Sequence, residues 1–170
     1  MRTLMARTTR HALEMIVDPR FYATERGFQG RLNSALQERL VAEGFLRGGQ
    51  ILEEEYQKSE RHGTFQRPDL VLHTPAERTN AGVRANNVAV WALKRRASGA
   101  TATEDFDKLD EMFAILNYAI GFFVNVDSTT DHRGLYRGRY SNRLLCISTR
   151  LDHLGRPRIL FNPARPEDEK

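Results

Sequence analysis

At 170 residues, with 40% hydrophobic and 28% charged side chains, the chain has the make-up of one folded domain, long enough to bury roughly two-thirds of its unfolded surface, which excludes a disordered or fibrous protein. No run approaches the ~18–20 apolar residues of a membrane span, and a single cysteine, Cys146, excludes an intrachain disulfide and any cysteine-cluster metal site. The net charge of +4 rests on 22 arginines and only four lysines; it suits a polyanion partner, although a GC-rich codon usage also yields such an arginine excess.

In chain order, the first residues lack a secretory apolar core and cleavage site. Residues 8–17 read as a short helix that Pro19 stops. A second helix starts near Thr24 as N-cap, with Phe28, Leu32, Ala35, Leu36 and Leu40 as its apolar stripe and Gly44 as its stop. Glu25 stands three residues before Phe28 and seven before Leu32. It is therefore expected on the core-facing stripe, where a carboxylate is costly unless something binds it. Residues 50–56 read as a strand, 58–66 as a hairpin loop, and 67–73 as a strand with Pro68 near its start. After a loop over 74–86, residues 87–94 form a continuous apolar strand of the kind buried on both faces. Thr101 and Glu104 have capping-box spacing, and a helix follows through Phe106, Leu109, Met112, Phe113 and Leu116. Residues 120–126 form another buried strand, and 127–142 a mobile, basic connection. Strands 144–149 and 158–161 pair as a hairpin across 153–157. Cys146, inside an apolar run, is a buried thiol and fits a reducing cytoplasm. Residues 1–163 thus make a single domain, with a polar tail over 164–170. A strand–helix–strand step between 88 and 126 favours parallel pairing, and the early hairpin adds antiparallel strands. The fold class is α/β, a mixed central β-sheet flanked by helices.

Two of these strands carry charge at their ends: Asp69 in Arg67-Pro68-Asp69, and Lys94 after Val88-Ala89-Val90-Trp91-Ala92-Leu93. Phosphodiester cleavage assisted by a metal needs a cation to polarise the phosphate and activate water. Mg²⁺ takes oxygen ligands, and a nearby lysine offsets developing negative charge. Asp69, Glu25 and Lys94 are the residue types for that chemistry. Read singly, Asp69 is equally a turn former at a strand end and Lys94 a solvated strand terminus. His62, His73, His132 and His153 have no zinc-like spacing, and His73 reads as a surface residue. Glu53 and Glu55 share one strand face and Glu54 takes the other; a solvated strand is the plain reading, a metal-facing acid the other. Arg95 and Arg96 are placed for backbone phosphates. Between Asp131 and Arg158 seven arginines face two acids, with Tyr136 and Tyr140 interleaved. Arg133, Arg137, Arg139 and Arg143 in that stretch are candidates for nucleic-acid backbone contact, or form a solvated basic loop.

Thr24-Glu25-Arg26-Gly27-Phe28-Gln29 at a helix start, Arg67-Pro68-Asp69 before an apolar strand, and Trp91-Ala92-Leu93-Lys94-Arg95-Arg96 together resemble the PD-(D/E)xK nuclease superfamily, whose fold is restriction-endonuclease-like. The likeness spans roughly residues 24 to 126, including the following helix and the strand Gly121-Phe122-Phe123-Val124. It implies a metal-dependent hydrolysis of DNA, with RNA as the alternative, in prokaryotic or phage defence or DNA processing. It implies Mg²⁺ or Mn²⁺ held by Asp69 and Glu25, with the backbone carbonyl of Leu93 as a further ligand and Lys94 as catalytic lysine. It also implies a cytoplasmic protein with a possible homodimer, or a partner subunit that chooses the target. The departure is Ala92, where the family carries an acid. Three explanations compete: a deliberate disabling substitution, a naturally inactive relative that binds nucleic acid or a protein, or an acid that has migrated to Glu104 or Asp105 on the next helix.

Overall fold

The computed structural model describes residues 1–54, 66–75 and 86–162. Most of the two expected loops over 58–66 and 74–86, together with His62, Glu55 and the tail over 164–170, lies outside the described residues. Four helices and six strands are described: α1 Arg2–Glu14, α2 Pro19–Tyr22, α3 Glu25–Ala42, β1 Ile51–Glu54, β2 Leu70–His73, β3 Asn87–Arg95, α4 Gly99–Leu116, β4 Ile120–Val126, β5 Leu144–Leu151 and β6 Pro157–Asn162. The strands form one sheet in chain order, β1-β2-β3-β4-β5-β6. Pairing is antiparallel through β1, β2 and β3, parallel from β3 to β4 and β4 to β5, and antiparallel again at β5–β6. The chain is therefore α/β with a mixed sheet, and the strand–helix–strand step through α4 is parallel as its pattern requires.

Helices cover both faces. Phe28, Leu32 and Leu36 of α3 join Leu13 of α1, Tyr22 of α2 and the sheet residues Leu70, Leu72, Trp91 and Phe122 in one buried cluster. Phe106, Leu109 and Phe113 of α4 join Val71, Val90, Phe123 and Cys146 on the other face. Successive residues of a strand point to opposite faces, so a buried two-sided strand such as β3 has to be apolar nearly throughout. Trp91 stacks on Phe122 with ring centroids 5.2 Å apart, and its indole Nε1–H donates to Thr9 Oγ1 at 3.3 Å.

Several boundaries depart from expectation. The first helix begins at Arg2, ahead of residue 8. The first helix ends at Glu14, short of residue 17, so Pro19 does not stop it; the proline instead opens α2, where Asp18 caps the Arg20 amide and the ring is preset for a first helical turn. The cap of α4 is Ser98, whose Oγ accepts from Thr101 N; Glu104 lies inside the helix and is exposed, so there is no capping box at 101. The basic connection over 127–142 is built rather than loose, with 3₁₀ turns at Arg133–Leu135 and Ser141–Arg143 and a buried Tyr136. Thr24 caps α3 through Gly27 N, and Gly44 follows it at φ 70°, a left-handed conformation that glycine adopts without strain.

Candidate functional site

Strand alternation decides which side chains meet. Leu70 and Leu72 of β2 pack toward α1 and α3 and Val71 toward α4, so the period of two turns Asp69 toward α4. On β3, Trp91 and Leu93 take the α3 side, and Val90, Ala92 and Lys94 the α4 side. Leu70 stands opposite Trp91, which brings Asp69 level with Ala92. The helix α4 covers this corner. Pro68, Asp69, Ala92, Lys94, Asp105 and Lys108 help line a cleft with about 60 Å³ of water-accessible space, room for a cation and a few waters.

Asp69 Oδ2 accepts a 2.6 Å hydrogen bond from Leu93 N. Burial pushes its carboxyl up to about 6; the Leu93 amide and Lys94 oppose that rise, and Glu25 and Asp105 add to it. The Lys94 ammonium donates to the Leu93 carbonyl at 2.9 Å and to Glu25 Oε1 at 3.2 Å, and stands 3.7 Å from Asp105 Oδ2. Burial works to lower its pKa, but the carboxylates of Asp105, Asp69 and Glu25 outweigh burial and hold it above the ordinary lysine value. Glu25 occupies the first turn of α3, where the helix N-terminus favours a carboxylate. Its second oxygen accepts from Arg95 N at 3.2 Å. Its side chain is 39% exposed, which corrects the core-facing expectation: Glu25 sits at the end of the stripe, beyond its buried part, and reaches the cleft through Lys94. The three residues 25, 69 and 94 thus come together at one corner of the sheet.

Other expected residues sit differently. Arg95 donates from Nε to Tyr22 O and pairs with Asp127 at 2.8 Å, a structural clamp. Arg96 pairs with the same Asp127 at 2.8 Å but keeps 64% of its side chain exposed. Arg133 donates to Ser141 O and Arg137 to Gly134 O, which ties down their own segment, and Arg143 donates to Asn117 Oδ1 and Tyr118 O, which ties that segment to the turn between α4 and β4. Arg139 is exposed. His73 is buried and bonded to Glu53, which corrects its reading as a surface histidine; Glu53 does not line the cleft. Of the two candidates for a migrated acid, the structure brings in Asp105, which is 3% exposed, and leaves Glu104 in solvent.

Lys108 had no place in the sequence reading, and Gln29 stood there only within the helix-start motif, with no role of its own. Lys108 Nζ pairs with Asp105 Oδ1 at 2.9 Å. Gln29 Nε2 donates to Asp69 O at 3.2 Å and steadies the approach to β2. Each carries a faint signal: Asp105, Lys108, Leu109 and Met112 share one helical face, and Gln29 lies one turn after Glu25.

Among the described residues no three His, Cys, Asp or Glu side chains are drawn close enough to form a ready-made metal cage; the Lys94 ammonium stands among the carboxylates. The donor set still suits Mg²⁺ or Mn²⁺, which need only one or two carboxylates and keep several waters. Asp105 Oδ2 is buried with no hydrogen-bond partner, its ion pair with Lys94 being 3.7 Å long. No family model matches the chain, and neither a curated protein nor a solved structure does.

Proposed function

We propose that the chain is a nuclease domain of PD-(D/E)xK type that hydrolyses phosphodiester bonds of DNA, with RNA as the alternative substrate. The observation that supports this reading is the meeting of Asp69, Glu25 and Lys94 beside a cleft at the ends of β2 and β3. Asp69 and Glu25, with the Leu93 carbonyl, would hold Mg²⁺ or Mn²⁺. The cation, when bound, supplies a polarised phosphate and a water of lowered pKa. Asp69 presents an ionised oxygen once the pH exceeds about 6, and the Leu93 amide fixes its rotamer. Lys94 orients the attacking water and offsets negative charge on the phosphate. Glu25 holds Lys94 at that post. Ala92 contributes no ligand, which disables the acid position of the family's usual set. Arg96 and Arg139 offer exposed charge to the nucleic-acid backbone. Such a protein belongs in the cytoplasm of a prokaryote or in phage biology, in defence or DNA processing, working as a homodimer or with a subunit that chooses the target. No described helix is long and apolar enough to cross a membrane.

A second reading, a nuclease-fold module that binds nucleic acid or a protein without cutting, is favoured by one contact. The Lys94 ammonium occupies the Leu93 carbonyl, the oxygen that a cation would use. Incubation of plasmid DNA with Mg²⁺ separates the two. Cleavage by the chain or by Ala92→Glu that requires Mg²⁺ and vanishes with Asp69→Asn supports hydrolysis. Intact DNA and RNA with both proteins would leave the binding module.

A further inference from the structure

We infer that Asp105, projecting from α4, supplies the carboxylate that position 92 lacks, so that the cleft is a divalent-cation site in the chain as it stands. The inference rests on the nuclease reading for the kind of ligand, and on four observations for the residue.

The first is place. Asp69 and Ala92 stand level with each other and face α4. A longer acid at 92 would project beneath α4, and Asp105 lines that same cleft from above. The second is burial. Asp105 is 3% exposed on a helical face it shares with Leu109 and Met112, where an apolar side chain is the ordinary occupant. The third is an unmet bond. Buried carboxylates normally have both oxygens satisfied. Asp105 Oδ1 has Lys108 at 2.9 Å, while Oδ2 has no hydrogen bond. Lys94, the obvious donor, stops 3.7 Å away and gives its hydrogen bonds to Leu93 O and Glu25. The fourth is charge. Three carboxylates (Glu25, Asp69 and Asp105) act together on the single Lys94 ammonium, with Lys108 on Asp105 Oδ1 and Arg67 as the other cations of the cleft. Asp69 and Asp105 together with water satisfy Mg²⁺ or Mn²⁺ without any acid at 92.

Isothermal titration of the whole chain with Mn²⁺ tests this. One Mn²⁺ per chain is expected for the unaltered protein. Asp105→Asn should weaken binding tenfold or more, with a thermal melt confirming that the variant folds; Asp105→Ser serves if the asparagine variant does not. Ala92→Glu added to the Asp105 variant should recover most of the affinity. No Mn²⁺ binding by the unaltered chain, or binding indifferent to the Asp105 substitution, overturns the inference. Mn²⁺ binding that depends on Asp105 in a protein that cuts neither DNA nor RNA overturns the nuclease reading and leaves the cation site standing. Cleavage with Mn²⁺ binding insensitive to Asp105 does the reverse.

Discussion

Burial raises the Asp69 carboxyl to about 6 in the folded chain, against an ordinary value of 3.8. Above pH 6 the group is ionised in both folded and unfolded states, and the folded state carries the whole cost of a charge removed from water. Below pH 3.8 it is protonated in both, and the cost is gone. Asp69 therefore destabilises the metal-free fold at neutral pH, by up to roughly 3 kcal/mol. Asp69→Asn keeps an acceptor for the Leu93 amide and removes the charge. In metal-free buffer it should melt higher than the unaltered chain at pH 8, and the gain should shrink as the pH falls from 6 to 4. A difference in melting temperature independent of pH would refute this assignment. Asp69 and Lys94 were legible in the sequence because each interrupts an apolar strand with a charge, and Glu25 because it sits at the head of an apolar stripe. Asp105 entered the sequence reading only as one of two places for a migrated acid, and Lys108 did not enter it, for the opposite reason. On α4 they belong to a run of charges, Glu104, Asp105, Asp107, Lys108 and Asp110, that looks like a solvated helix face. Only the packing of α4 on the sheet shows which one is buried.

At the scale of elements, the packing of α4 on the sheet has a narrow tolerance at Gly121. This glycine of β4 faces Phe113, and a Cβ there would lie 2.5 Å from Phe113 Cζ, with Leu109 Cδ2 at 3.5 Å. Phe113 is 1% exposed and packs against Tyr140, with ring centroids 5.7 Å apart. Gly121→Ala should cost about 1–3 kcal/mol through overpacking, a fall in melting temperature of about 2–4 °C per kcal/mol. Gly30→Ala in α3 is the matched control: its Cβ would meet nothing within 4 Å, and alanine is the better helix former by about 1 kcal/mol, so the melting temperature should rise. An unchanged melt for Gly121→Ala would show that α4 can shift away from β4. The regular elements were legible where period and composition agree, as in β3, β4, α3 and the β5–β6 hairpin. What escaped was punctuation. Ser98 and Thr101 are both acceptable caps, and the choice falls to Ser98, whose hydroxyl meets the Thr101 amide at 3.2 Å. The 127–142 segment reads as loose because it is polar, yet Tyr136 is buried and bonded to Asp110, a long-range contact that local sequence does not announce.

Over the whole molecule, a charge of +4 spread across many arginines says little until the arginines are divided by what they already hold. Arg133 and Arg143 donate to backbone carbonyls and lie over Tyr136 and Tyr140 at 5.1 and 5.2 Å from the ring centroids. Arg133 is committed within the segment between β4 and β5, and Arg143 joins that segment to the turn before β4. Arg96 sits at φ 52° on the turn after β3, beside the cleft strand, with most of its side chain in solvent, and Arg139 is exposed as well. A phosphate backbone drawn across this surface releases about 0.9 of a counterion for each phosphate neutralised, and the logarithm of the binding constant falls accordingly with the logarithm of salt. Arg96→Ala and Arg139→Ala should each weaken binding to a short DNA duplex and flatten that salt slope by about 0.9. Arg133→Ala and Arg143→Ala should leave the slope nearly unchanged and lower the melting temperature instead, because each removes a tie that shapes the segment. Fluorescence anisotropy over about 50 to 200 mM salt reads the slope, and a thermal melt of the same variants reads the other half. If all four substitutions flatten the slope equally, the division of the arginines is wrong and the basic segment is itself the surface that meets phosphate.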